Sequence, residues 1–374
     1  MRDFLFLSRS ASIYLNRACP RKCPACDVVK GGFSTMCASR WMEAFDILRD
    51  RGVSFFLILG AEPLVYPRRD LLDLVSYWSR EDFEYGFYTA APLSKFEELK
   101  RPLIESGLLN WSSGCDFVPV VYDELKSEGK LSDLCIDLVE NSEGGAELRK
   151  KAEDVLYAMG EMLSLGISEA QLTITVYRSN IEFVPEMVQW MLDQFPSPLC
   201  VSLNYVNRGD IGLDFASSGP SSDRFFLREE DATVFDEFVS KMDGLGEEYW
   251  DRIQVPRSYL FDRGLPLTLD RRGSPHYCPV SVECDGSMRL CGYRRGDGLD
   301  EWSVFDLADD DKFLSFLQSW EFQATHCFGC GWNCCSIINE PLYLAVNQNP
   351  TERQWLTNYR SEGWRSRMGI LGDV

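Results

Sequence analysis

Histidine is almost absent, with two residues in a chain of 374. A catalytic site built on imidazole, or a zinc site with histidine ligands, is therefore disfavoured. Basic charge is also scarce: 38 Lys and Arg stand against 58 Asp and Glu, a net charge of −20. That excess repels nucleic-acid phosphates and anionic lipid, so neither nucleic acid nor membrane is an expected partner. Otherwise the acidity reads as ordinary solubility. Long apolar runs are missing as well. VSFFLILG is among the longest, far below the roughly 20 residues that span a bilayer. The opening MRDFLFLSRSAS has too short an apolar stretch for a signal peptide and no small-residue cleavage site after it. A cytoplasmic protein is expected. No internal repeat or low-complexity tract interrupts the chain, and its length suits one large domain with a smaller one.

What is present is an alternation of strand and helix patterns. Ser10 to Asn16 reads as a strand, Ser39 to Gly52 as a helix stopped by its glycine, and Val53 to Gly60 as a strand buried on both faces. RRDLLDLVSYWSR (helix), EYGFYTAAP (strand), SKFEELKRPLIESG (helix, kinked at Pro102) and LLNWSSGCD (short strand) follow. A polar segment from Asp123 to Gly145 reads as an insertion or lid. The alternation then resumes with ELRKKAEDVLYAMGEMLSLG (helix), AQLTITVYRSN (strand), EFVPEMVQWMLDQF (helix) and PLCVSLNYV (strand). About six β-then-α units thus run from Ser10 to roughly Met242. Such units pair in parallel with right-handed crossovers, which predicts an α/β fold closing into a barrel or partial barrel. From about Trp250 the rhythm stops and Gly, Pro, Arg and Asp become dense. We place a boundary there: residues 1–245 form the core, and residues 246–374 a small cysteine-rich module with a tail. Within the module, VSVECDGSMRLCGY predicts a hairpin around Asp285-Gly286. DDDKFLSFLQSW predicts a helix with acidic residues in its first turn.

The 14 cysteines are gathered at the two ends. In a chain read as cytosolic they suit metal ligation better than a disulfide framework. Cys19, Cys23 and Cys26 form a CxxxCxxC just after the first strand. Three readings compete. CPAC resembles a redox pair, but that reading leaves Cys19 over and lacks the long helix that should start at the second cysteine. Zinc needs a fourth ligand, and the distant CxxC is CFGC, about 300 residues away. An iron–sulfur cluster held by three thiolates leaves one iron open, which a catalytic cluster needs.

CxxxCxxC after the first strand, together with LILGAEPL closing the second, resembles the radical S-adenosylmethionine (radical SAM) superfamily. The resemblance covers roughly Ser10 to Val206. It implies a partial (β/α)6 barrel with its site at the carboxyl ends of the strands. It implies that Cys19, Cys23 and Cys26 hold a SAM-binding 4Fe–4S cluster. Gly60, Ala61, Glu62 and Pro63 stand where the family's Gly-Gly-Glu-Pro motif receives the amino group of SAM. Ala61 replaces the second glycine, and Ala25 stands where the family favours an aromatic. By position, Ser112, Ser113 and Arg149 are candidates for the SAM carboxylate, and Asn180 and Tyr205 for its ribose or adenine. The competing reading of each is an exposed polar residue at a strand end.

Cys278, Gly286-x4-Cys291 and Cys327-x2-Cys330 resemble the auxiliary-cluster module called SPASM or, in its one-cluster form, Twitch. This implies one auxiliary 4Fe–4S cluster on Cys278, Cys291, Cys327 and Cys330, with Cys334 or Cys335 as substitutes or as ligands of a second, degenerate cluster. A structural zinc site is the competing reading of the four. Cys37, Cys115, Cys135, Cys200 and Cys284 read as small buried hydrophobes, with Cys115 alternatively facing the active site.

The resemblance implies SAM cleavage to a 5′-deoxyadenosyl radical and hydrogen abstraction, most naturally in peptide or protein modification. The chain begins just ahead of its first strand, so a leader-recognition domain is not expected before it. That keeps a sugar or alcohol dehydrogenase or epimerase as the alternative. A non-enzymatic iron–sulfur or zinc scaffold is the third reading, and Glu62 argues against it. Arg17, Arg21 and Lys22 make the cysteine loop basic, and we expect that patch to dock an acidic electron donor such as a flavodoxin or ferredoxin.

Overall fold

The computed structural model describes residues 10–21, 34–142, 144–205, 225, 227–254, 280–289 and 302–325. Six parallel strands lie in chain order across one sheet: β1 (Ser10–Tyr14), β2 (Phe55–Leu59), β3 (Glu84–Tyr88), β4 (Asn110–Gly114), β5 (Glu169–Val176) and β6 (Leu199–Tyr205). Their connections contain α1 (Ala38–Asp50), α2 (Arg68–Arg80), α3 (Leu93–Glu105), α4 (Pro119–Ser127), α5 (Asp133–Ile136), α6 (Gly145–Ser164) and α7 (Val184–Gln194). After β6 come α8 (Ala232–Asp243), α9 (Glu247–Trp250), β7 (Val280–Val282), β8 (Met288–Arg289) and α10 (Asp310–Thr325). This is the α/β, partial-barrel arrangement that the alternation predicts.

The two faces of the sheet differ. On the face toward the helices, Ala11, Ile13, Phe56, Ile58, Tyr85, Phe87, Trp111, Leu172, Ile174 and Val201 are fully buried. Phe45 of α1 meets Phe56 edge-on at 4.9 Å and Trp78 of α2 at 5.4 Å, and Trp111 lies 5.5 Å from Phe96 of α3. Each such side chain contributes about 1.5–3 kcal/mol on burial. The residues between them point the other way. There Ser12, Leu57, Gln171, Thr175 and Cys200 are only half buried. A parallel sheet is ordinarily apolar on both faces, so this polar inner face is available for a ligand.

Two expectations change. The Asp123 to Gly145 segment is not a lid. With α4, α5 and a π-helical turn (Asp137–Asn141), it buries Leu125, Cys135, Leu138 and Val139. Its helices are short, so no single 3.6-residue stripe runs through it. The predicted hairpin forms, with Gly286 at φ +89° in its turn, but it extends the main sheet. β7 pairs in parallel with β1, from Ala11–Val280 to Ile13–Val282, and antiparallel with β8. Beyond it, the helical turn Val304–Ala308 sits on α1, where Arg51 Nε donates to the Leu307 carbonyl at 2.7 Å. The change of texture near Trp250 is therefore not a break in the sheet. Among the described residues, no helix is long and apolar enough to cross a membrane.

Candidate functional site

The carboxyl ends of β1 and β2 are joined by Asn16. Its backbone oxygen accepts from the Ala61 amide at 3.1 Å, and its Nδ2 donates to the Glu62 carbonyl at 2.9 Å. Its Oδ1 accepts from the Ala18 amide at 2.8 Å, which turns the chain into the cysteine loop. A methyl group on Gly60 would stand 2.7 Å from the Asn16 carbonyl oxygen, so the first glycine of the motif is required for this approach. Half-buried Cys19 follows, its Sγ accepting from the Arg21 amide at 3.4 Å. A half-buried thiol shortly after the end of β1 is a donor of the kind an iron–sulfur cluster takes. Cys23 and Cys26 lie outside the described residues, as do Lys22 and Ala25.

Glu62 is fully buried at the start of a short helical turn, Pro63–Val65. Its carboxylate accepts from the Leu64 amide at 3.0 Å, the Ala90 amide at 2.7 Å and the Thr89 hydroxyl. It therefore bridges the ends of β2 and β3. Burial raises its pKa, against those hydrogen bonds and the positive charge of Arg21. The next turn is strained: Ala91 has φ +45°, and its amide donates to Thr89 Oγ1 at 2.9 Å.

The remaining candidates separate. Ser112 lies on the inner face of β4, its hydroxyl donating to Asn110 Oδ1 at 2.6 Å. Ser113, one residue on, is fully buried on the helix side, where its hydroxyl has no partner among the described residues. Arg149 is taken up by Asp123 of α4, onto which it forks at 2.8 and 3.1 Å, with its guanidinium 5.5 Å from the Phe117 ring centre. The cation that reaches the end of β4 is Lys151, one half-turn further along α6. Its Nζ lies 3.6 Å from Asp116 Oδ2 and 3.4 Å from where a Gly114 Cβ would stand, with Tyr88 OH beside it. Asn180 is fully buried and serves backbone: it accepts from the Tyr177 amide and donates to the Thr175 carbonyl, each at 2.8 Å. Tyr205 ends β6 opposite Val176.

The thiols are corrected in part. Cys115 and Cys135 are buried and pushed up to about 12, so they stay protonated, and Cys115 donates to the Phe117 carbonyl. Cys284 is likewise buried and pushed up to about 11. Cys37, expected inside, is exposed at the start of α1, and its hydrogen bond with Ser39 lowers it. Cys200 is half buried on the inner face. Cys278, Cys291, Cys327, Cys330, Cys334 and Cys335 lie outside the described residues.

The expected basic docking patch is also corrected. Arg17 is buried and forks onto fully buried Glu283, with Nε–Oε2 at 2.9 Å. Arg21 is buried between Asp154 at 2.6 Å, Glu147 at 3.1 Å and the Ala90 carbonyl at 2.9 Å. Both charges are used inside the fold and do not face a partner. The sequence reading missed Asn16, Thr89, Lys151 and Glu283. In each case the partner is distant in sequence, and no local pattern marks the pairing.

Parallel strands in chain order, with a cysteine loop and a buried glutamate at adjoining carboxyl ends, define an open α/β barrel of the kind the radical SAM resemblance implied. No protein-family model matches the chain, and no curated protein matches its sequence. Solved structures do share the fold. Hexahistidine-tagged anSMEcpe with bound AdoMet is 12% identical, with a TM-score of 0.53 over 96% of this chain and 98% of that one. Native anSMEcpe with bound AdoMet and the Cp18Cys peptide gives 12% and 0.52 over the same shares. SuiB of Streptococcus suis gives 12% and 0.53 over 84% of this chain and 68% of that one. At such identities the likeness is one of fold.

Proposed function

We propose that the chain is a cytoplasmic radical SAM enzyme acting on a peptide. The observation that carries this reading is the Asn16 staple, which sets the start of the cysteine loop against buried Glu62 in a fold shared with AdoMet-bound anSMEcpe. When bound, a reduced 4Fe–4S cluster with SAM supplies a carbon radical able to take a hydrogen atom from an unactivated position. Cys19, Cys23 and Cys26 would hold the cluster. Glu62, oriented by Thr89 and two amides, would receive the SAM amino group. Ser112 and Lys151 would receive its carboxylate, in place of Ser113 and Arg149. Asn180 would act by holding the end of β5, and Tyr205, at the end of β6, would approach ribose or adenine.

A peptide substrate is supported by the anSMEcpe structure that holds the Cp18Cys peptide. The inner face is rich in hydroxyl and amide groups: Ser112 of β4 pairs with Gln171 of β5, and Thr173 of β5 with Ser202 of β6. That favours a neutral hydrogen-bonding substrate, and it is the observation that keeps a sugar or alcohol as the second reading. Cys278, Cys291, Cys327 and Cys330 are proposed to hold an auxiliary 4Fe–4S cluster in the module of residues 246–374. A flavodoxin or ferredoxin would supply the electron, though not by docking on Arg17 and Arg21.

Replacing Cys19, Cys23 and Cys26 together by Ala should abolish 5′-deoxyadenosine formation from SAM and dithionite. Persistence would overturn the proposal. Reconstituted protein should carry about eight irons and the triple variant about four. Four in the parent protein would remove the auxiliary cluster.

A further inference from the structure

The chain between Arg17 and Met36 carries Cys19, Cys23 and Cys26, and it is fastened twice at each end. At the near end, Asn16 Nδ2 donates to the Glu62 carbonyl at 2.9 Å and Arg17 forks onto Glu283. At the far end, the Tyr66 hydroxyl donates to the Met36 carbonyl, and the Met36 amide donates to the Cys284 carbonyl at 2.8 Å. One tie at each end goes to the segment that carries Glu62. The other goes to consecutive residues of the β7–β8 hairpin. Arg17 also stacks over the Tyr14 ring at 4.7 Å, where β1 ends.

Stability alone does not account for the Arg17–Glu283 pair. Glu283 is fully buried and Arg17 is 7% exposed. At such depth desolvation cancels much of the attraction, and apolar residues of similar volume would hold the hairpin as well. What they would lack is a planar, two-bonded register. We infer that Glu283 is a positioning residue that, through Arg17, sets the cysteine loop relative to Glu62. This rests on the reading of that loop as a cluster ligand. The hairpin lies between Cys278 and Cys291 in the sequence.

The test compares the parent protein with Arg17→Met/Glu283→Leu, which removes both charges and keeps the volume, and with Arg17→Lys, which keeps the charge but loses the fork. In metal-free protein, amide exchange at Ala18, Met36 and Ala61 should quicken about tenfold in the double variant, while β4 and β5 stay protected. In reconstituted protein, the change that SAM produces in the EPR spectrum of the reduced cluster should shrink. The Kd for SAM should rise about tenfold, equivalent to about 1.4 kcal/mol. Arg17→Lys should fall between. Parent-like exchange and a parent-like SAM response in the double variant would overturn the inference. So would loss of protection throughout β4 and β5, which would make the pair a fold stabiliser only. A parent protein whose cluster spectrum ignores SAM would instead sink the proposed function and leave the exchange result standing.

Discussion

At the scale of single residues, Glu62 shows how a buried carboxylate is held. Leu64, Ala90 and Thr89 all donate to it, yet burial still raises its pKa above the ordinary 4.5. The folded chain therefore holds that proton more tightly than the unfolded chain does. The stability this contributes is present at acid pH and is lost as pH rises past the ordinary carboxyl value toward the raised one. Glu62→Gln has no such titration. The stability of the parent minus that of the variant, measured by urea unfolding, should fall from about pH 4.5 upward. The fall is about 1.4 kcal/mol per unit of raised pKa, and the difference flattens once the folded carboxyl has ionised. A difference independent of pH would mean the site hydrates the carboxylate more than its burial implies. Glu62 itself was legible in GAEP because a short motif fixes both residue type and place. Its partners Thr89 and Ala90 were not, since nothing local in YTAAP marks a turn that reaches back 27 residues.

At the scale of elements, strand and helix order was legible because the apolar periods are strong. FFLIL, TITV and LCVSL read as strands, and α1, α2, α6 and α7 each carry a clear stripe. The segment after β4 failed for a physical reason. Asp123 to Gly145 is polar on average, but burial is decided residue by residue, and three short helical pieces each contribute one or two apolar side chains to the core. Leu138, at 1% exposure, is the most buried leucine among them. Leu138→Ala should cost about 2–5 kcal/mol, because the helices around it only partly close the cavity. A lid residue would cost almost nothing. Thermal and urea unfolding decide between the two, and a loss under about 0.5 kcal/mol would return the segment to the lid reading.

At the scale of the whole molecule, the composition suggested a core ending near residue 245, yet the chain after that point completes the core. β7 covers the open edge of β1, which would otherwise present unpaired backbone groups to other chains. Val280, Val282, Val304, Leu307, Phe313 and Phe316 are all buried, and each contributes about 1.5–3 kcal/mol. That total rivals the full stability of a typical domain, about 5–15 kcal/mol. Removing the hairpin also takes away Glu283, the buried carboxylate onto which Arg17 forks. A fragment of residues 1–254 should therefore aggregate or unfold well below the full chain's Tm, even though it contains every residue of the radical SAM resemblance. Coexpressing residues 255–374 as a separate chain should restore soluble protein if the hairpin can add to β1 in trans. A 1–254 fragment that unfolds cooperatively at the parent Tm would show instead that the first six strands form an autonomous domain, and that β7 merely rests against it.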